Sequence, residues 1–112
     1  GLRSLIGETK HGIISSVTDF GFYVEIDEMY EGLVNKSSLK GDIVYSPEMF
    51  SLFDKKNNIS YTLGDQVTVV IKGITDNDEI DFTLQNTLEY NNLYGENYDY
   101  KKEKGKKKKK VL

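Results

Sequence analysis

No cysteine occurs among the 112 residues. The fold therefore rests on an apolar core without disulfides, and thiol nucleophiles, redox pairs and cysteine metal sites are excluded; the absence also fits a reducing cytosol. Histidine occurs once, at His11. A lone imidazole has no partner for a metal site or a nucleophile–base pair, so His11 reads as a surface residue. Tryptophan is missing and Pro47 is the sole proline. No apolar run approaches the ~20 residues of a membrane span, and no signal-peptide pattern is present, so no membrane partner is expected. A phosphate-cradling glycine loop is also missing. Asp76-Asn77-Asp78 followed by Asp81 starts like a calcium loop, but the sixth position, where glycine is needed, is Asp81, and the twelfth, where glutamate is needed, is Thr87. That stretch reads as a solvated hairpin turn. Nothing in the pattern gathers four carboxylates for metal-dependent hydrolysis, and the chain reads as non-catalytic. It starts at Gly1 rather than methionine, and is expected to be a piece of a longer protein.

What is present is unevenly charged. Residues 1–100 hold 7 Lys+Arg against 17 Asp+Glu, a net charge of −10, and residues 101–112 hold 8 Lys against Glu103, a net of +7. An acidic body thus carries a basic arm, and the overall −3 says little about partners. The arm, KKEKGKKKKKVL, is of low complexity and is expected to be disordered.

The chain is organised around Asp19-Phe20-Gly21-Phe22-Tyr23-Val24-Glu25. From Phe22 on, the residues alternate as on a half-buried strand, with Phe22, Val24 and Ile26 on one face and Tyr23 and Glu25 on the other. Burial of the first set puts the Tyr23 ring outside. A bulge or bend at Gly21 would bring Phe20 round beside it. Two rings side by side on an open sheet face offer a stacking platform for unpaired bases. The competing reading is packing of both rings at the core or rim.

Five main strands follow from the same period: Lys10–Thr18, Phe20–Ile26, Glu31–Asn35, Gln66–Ile74 and Ile80–Leu84, with Ile14, Val17, Phe22, Val24, Ile26, Val34, Val67, Val69, Ile71, Phe82 and Leu84 inward. After the third strand the Ser37 and Ser38 hydroxyls are placed to cap a helical turn. Lys40 to Leu63 is a long insert in which Ile59–Thr62 is expected to pair back as an accessory hairpin, with Phe50 and Phe53 packing it against the barrel. Thr75–Glu79 is a tight acidic turn. The simplest closure is an all-β, five-stranded antiparallel barrel of the OB type, with a long insert after the third strand and a disordered basic tail.

D-F-G-F-Y-V-E-I (19–26), E-G-L-V-N (31–35), L-G-D-Q-V-T-V (63–69) and I-D-F-T-L (80–84) resemble, in order and spacing, the S1 RNA-binding domain, an OB-fold. Their details are most similar to the C-terminal S1 domain of bacterial ribonuclease R, a 3′-to-5′ exoribonuclease of the ribonuclease II superfamily. The resemblance divides the chain into residues 1–6, a linker or the end of an upstream segment, an S1 domain over 7–86, and a polar then lysine-rich tail over 87–112. It implies a cytoplasmic RNA-binding accessory module, itself non-catalytic, of a hydrolase acting in RNA degradation. Single-stranded RNA, the upstream catalytic domain of the same chain and the ribosome are the implied partners. No cofactor is implied for this piece; the magnesium of that family belongs to the upstream domain. Family RNA-contact positions fall on Phe20 and Tyr23, on Asn35 where histidine is usual, and on Thr75 and Glu79 where aspartate and arginine are usual. Lys36 and Lys72 are candidates to make up the lost charge, as are Lys101, Lys102, Lys104, Lys106, Lys107, Lys108, Lys109 and Lys110. The alternatives are a protein-interaction or ribosome-associated module on the same fold, and a stand-alone translation-related factor.

Overall fold

The computed structural model describes residues 1–85. The lysines of the arm, Lys101 to Lys110, and the expected disorder of the tail lie outside the described residues. β1 (Thr9–Thr18) is a β-branched run whose Gly12 and Ile14 are buried. A bulge at Ser15, between the pairs Ile14↔Val24 and Ser16↔Tyr23, lets Val17 rather than Ser16 return to the inner face. Without the extra residue, Ile14 and Val17 would point to opposite faces. β2 (Gly21–Ile26) buries Phe22, Val24 and Ile26 and leaves Tyr23 half-buried and Glu25 exposed. β3 (Tyr30–Asn35) follows a short turn, and its buried Val34 stands opposite Phe22.

The insert builds a sheet of its own. β4 (Ile43–Ser46), β5 (Ser51–Asp54) and β6 (Ile59–Thr62) pair in the order β4-β5-β6, so the expected hairpin is present with a third strand beside it. β7 (Gln66–Ile74) and β8 (Ile80–Leu84) complete a closed barrel in the order β1-β2-β3-β8-β7. Four of its five pairings are antiparallel and the fifth, β3 with β8, is parallel; the long insert supplies the crossover that a parallel pair requires. A second bulge, at Lys72, moves the inward set of β7 from Ile71 to Ile74.

The core comprises Ile14, Phe22, Val24, Ile26, Val34, Val69, Ile71, Ile74, Ile80 and Phe82 of the barrel, with Val17, Val67 and Leu84 packed at its margin. To these the insert adds Leu52, which is fully buried. Leu52 is flanked across its sheet by Tyr45 and Tyr61, and the Tyr61 ring stacks on Phe22 at 5.3 Å between centroids. The accessory sheet is therefore a plug on the barrel. The aromatics named for that role do not fill it: Phe50 is 60% exposed, in a left-handed conformation, and Phe53 is half-buried.

A buried carboxylate locks the insert. Asp54 is 1% exposed. Its Oδ1 accepts the backbone N–H groups of Asp42, Lys56 and Asn57, and its Oδ2 accepts the Asn57 side-chain amide at 2.7 Å. The Asn57 side-chain bond, with the backbone bonds behind it, outweighs desolvation and holds the carboxyl below its ordinary pKa. Any Cβ at Gly41 would strike the same carboxylate. Burial, with the Asp54 charge second, pushes the Tyr61 phenol above its ordinary value. Ahead of the barrel, Leu2–Leu5 forms a 3-10 helix whose Leu2 and Leu5 pack against the core. No helix among the described residues is long and apolar enough to cross a membrane.

Candidate nucleic-acid interface

Phe20 is presented by the turn between β1 and β2, not by a strand. The Thr18 hydroxyl accepts the Phe20 N–H at 3.2 Å and donates to the Gly21 carbonyl at 3.0 Å, while the Phe20 carbonyl accepts the Lys36 N–H at 2.8 Å. The ring is left 47% exposed. Gly21 is required for a close approach: at φ +154 an added Cβ would run into the Val34 carbonyl oxygen. The bulge on this hairpin is at Ser15 of β1 rather than at Gly21, and the turn alone brings Phe20 to Tyr23. Their centroids are 6.3 Å apart with planes at 89°, an edge-to-face pair, a geometry that aromatic quadrupoles favour. The exposed Phe20 ring and the half-buried Tyr23 ring are adjacent as expected, and bases stacked on each would lie nearly at right angles.

Beside Phe20 opens a cleft of about 400 Å³ lined by Phe20, Asn35, Lys36, Ser37, Leu39, Gly41 and Ile43. Its size falls within the range of small-ligand sites. Asn35 sits opposite Gly21 at the end of β3 and begins the short 3-10 turn Lys36–Ser38. The expected hydroxyl cap is replaced by an amide cap: Asn35 Oδ1 accepts the Ser37 N–H at 2.9 Å, and Ser38 Oγ donates back to the Asn35 carbonyl at 2.7 Å. The wall formed by Ser37, Leu39, Gly41 and Ile43 was not legible from the strand pattern, because the plugging of the barrel by the insert is what brings it there.

The structure thus groups Phe20, Tyr23, Asn35 and Lys36. It does not bring Lys72 to them. β7, which carries Lys72, is not paired with β2, and along the outer-face row Tyr23↔Leu33, Leu33↔Asp81, Asp81↔Gly73 the Asp81 carboxylate stands between Tyr23 and the strand of Lys72. Next to that row Glu25 pairs directly with Glu31, and Ser15 Oγ donates to Glu31 at 2.6 Å. The outer face therefore carries Phe20 and Lys36 at one end, with the exposed Asp19 beside Phe20, and the Glu25–Glu31 pair beyond Tyr23. Thr75 and Glu79 close the β7–β8 turn on each other, by Thr75 N–H to the Glu79 carbonyl at 2.8 Å and Glu79 N–H to Thr75 Oγ1 at 3.0 Å. A guanidinium does reach this turn, from the opposite end of the chain. Arg3 donates to the Ile74 carbonyl at 2.9 Å and pairs with Asp76 at 3.4 Å. Only a sequence separation of 71 residues hid it. Among the described residues no group of three or more His, Cys, Asp or Glu is placed to hold a metal ion.

A small closed five-stranded barrel whose mouth is plugged by the insert defines an OB-type fold. The S1 RNA binding domain family matches residues 6–85, and the chain belongs to that family. It is 38% identical over 79 residues to ribonuclease R 1 of Lactococcus lactis, and 38% identical over 82 residues to ribonuclease R of Escherichia coli, covering 69% and 70% of this chain. It spans about a tenth of the length of these relatives, 10% of each. Among solved structures it is similar to RNase R of Mycoplasma genitalium, with 28% identity, a TM-score of 0.69, and coverage of 75% of this chain and 14% of that one. That protein has been solved both free and in complex with ribose-methylated single-stranded RNA.

Proposed function

We propose that this chain is a single-strand RNA-binding accessory module of a cytoplasmic 3′-to-5′ exoribonuclease of the ribonuclease R type. In this reading it holds RNA for a magnesium-dependent catalytic domain elsewhere in the same polypeptide, with residues 7–86 as the working domain. The observation that carries the reading is the edge-to-face Phe20–Tyr23 pair, with Phe20 exposed beside the Lys36 cleft and Tyr23 half-buried against it. Exposed rings cost solvation unless something covers them, and bases do so without regard to sequence. Lys36 supplies a point charge for a phosphate, and the lysines from Lys101 to Lys110 supply long-range attraction that the acidic body lacks. The ribosome, as an RNA-rich surface, is a further partner of the same chemistry. The test is titration of single-stranded RNA with the chain and with the folded Phe20→Ala, Tyr23→Ala double variant. Stacking is worth about 1–3 kcal/mol per base, so affinity should fall at least tenfold.

A second reading, a protein-interaction module, is favoured by the exposed apolar side chains Val44, Met49, Phe50 and Leu63 on the accessory sheet and its turns. Unchanged RNA affinity in the double variant would select it.

A further inference from the structure

We propose that Asp54, buried behind the wall of the Phe20 cleft, is a positioning residue for RNA binding: it holds the segment Gly41-Asp42-Ile43 in place opposite the ring. The inference rests on the RNA-binding reading of that cleft. It follows from what lies on the two sides of one stretch of chain. Ser37, Leu39, Gly41 and Ile43 line the cleft with Phe20. Ser38 and Lys40 line a second pocket, of about 350 Å³, together with Asp54 and Asn57, and Leu39 borders both. The stretch is thus a partition one chain thick, with the cleft on one side and the carboxylate on the other.

Residues 39–42 belong to no strand, so no sheet ladder fixes where the partition stands. Asp54 does. Its Oδ1 accepts the Asp42 N–H at 3.2 Å, between the two wall residues Gly41 and Ile43. Gly41 packs so closely on the carboxylate that an added Cβ would strike it. The Asp42 carbonyl in turn accepts the N–H of Lys55, the residue after Asp54, at 2.9 Å. The carboxylate is held from its own side by the Lys56 N–H at 3.0 Å, the Asn57 N–H at 3.2 Å and the Asn57 side-chain amide at 2.7 Å. Residues 54–57 are therefore an anchor from which the wall hangs. The Phe20 ring is placed separately, by Thr18 and by the Lys36 N–H. Loss of the carboxylate leaves three N–H groups without their acceptor and lets the wall shift while the ring stays. A gap of about 0.5–1 Å already forfeits a quarter to a half of the attraction at each contact, so a base lying on Phe20 is held less well when the wall retreats.

The experiment is a double-mutant cycle in RNA affinity. One single-stranded oligonucleotide is titrated with the full 112-residue chain, with Asp54→Ala, with Phe20→Ala and with both together, below the melting transition of every variant. Asp54→Ala should lower affinity about threefold or more, the size seen for coupled neighbours. In the Phe20→Ala background most of that loss should vanish, because the wall then faces no ring. A general loss of stability does not give this pattern; it acts alike in both backgrounds. Asp54→Asn keeps an oxygen for the three N–H groups and should retain most of the affinity. Ile74→Ala, a core truncation that lines neither pocket, should lower the melting temperature and leave RNA affinity unchanged. If Asp54→Ala does not fold, Asn57→Ala takes its place in the cycle. It removes one bond to the carboxylate from an exposed residue, and the same coupling is expected at smaller size. Affinity equal to the parent chain, or an equal loss in both backgrounds, overturns the positioning role while a weakened Phe20→Ala leaves the RNA-binding reading standing. If Phe20→Ala binds as the parent chain does, or the parent chain binds no RNA, that reading falls and the positioning role with it.

Discussion

Replacing Leu52 by alanine should unfold more than the accessory sheet. Leu52 is fully buried, and Tyr45 and Tyr61 flank it while Tyr61 stacks on Phe22 inside the barrel. Truncation of a leucine so placed removes its transfer energy and leaves a cavity that a stacked ring pair cannot readily collapse into, a cost of about 2–5 kcal/mol. A domain of this size is stable by roughly 4–13 kcal/mol, so the loss is a large share of the whole. At about 4–8 °C per kcal/mol, a loss near 3 kcal/mol lowers the midpoint by roughly 12–24 °C. Circular dichroism melts and urea titrations of the parent chain, Leu52→Ala and Phe50→Ala give the comparison. Phe50, 60% exposed with φ 50, should change stability by no more than about 0.5 kcal/mol. The reasoning fails if Leu52→Ala melts with the parent chain, or if Phe50→Ala costs as much. A barrel transition left at its original temperature, with a separate early one, would mean that the sheet is appended to the barrel rather than plugging it.

Acid should weaken the same insert. The Asp54 pKa is depressed by the Asn57 side-chain bond first, so its contribution is complete above the unfolded value of about 3.9 and is lost as pH falls through the lower folded one. Urea midpoints of the parent and Asp54→Asn chains should differ at neutral pH and converge below about pH 4; a constant difference would contradict this. In single substitutions, Phe20→Ala and Tyr23→Ala should each weaken RNA binding with little change in melting temperature, because both rings reach solvent; a large loss of stability would return them to the core. Truncation after Tyr100 should leave the barrel folded and lower RNA affinity tenfold or more at low salt. With about five phosphates on the arm, the slope of log affinity against log salt is near −3.5 for the full chain and flattens in the truncated one; superimposable curves would show that the arm takes no part.

By itself the sequence determined the strands and what they bury. A period of two in Phe22-Val24-Ile26, Val67-Val69-Ile71 and Phe82-Leu84 is a local signal, because successive side chains of a strand must face opposite ways. Short polar turns fixed where the strands end, and the exposure of Tyr23 followed from the burial of its neighbours. Tertiary structure alone decided the rest, because it depends on residues far apart in the chain. Which apolar residue of the insert enters the barrel was settled by the register of a three-stranded sheet against Phe22, and it is Leu52, not the bulkier Phe50 or Phe53. Asn35 looks like a free amide until the backbone N–H of Ser37 turns its oxygen inward. Arg3 reaches the β7–β8 turn only because the closed barrel lays the 3-10 helix before β1 against the end of β7. The parallel β3–β8 pairing belongs to the same class: closure geometry sets it, and no periodicity within a single strand encodes it.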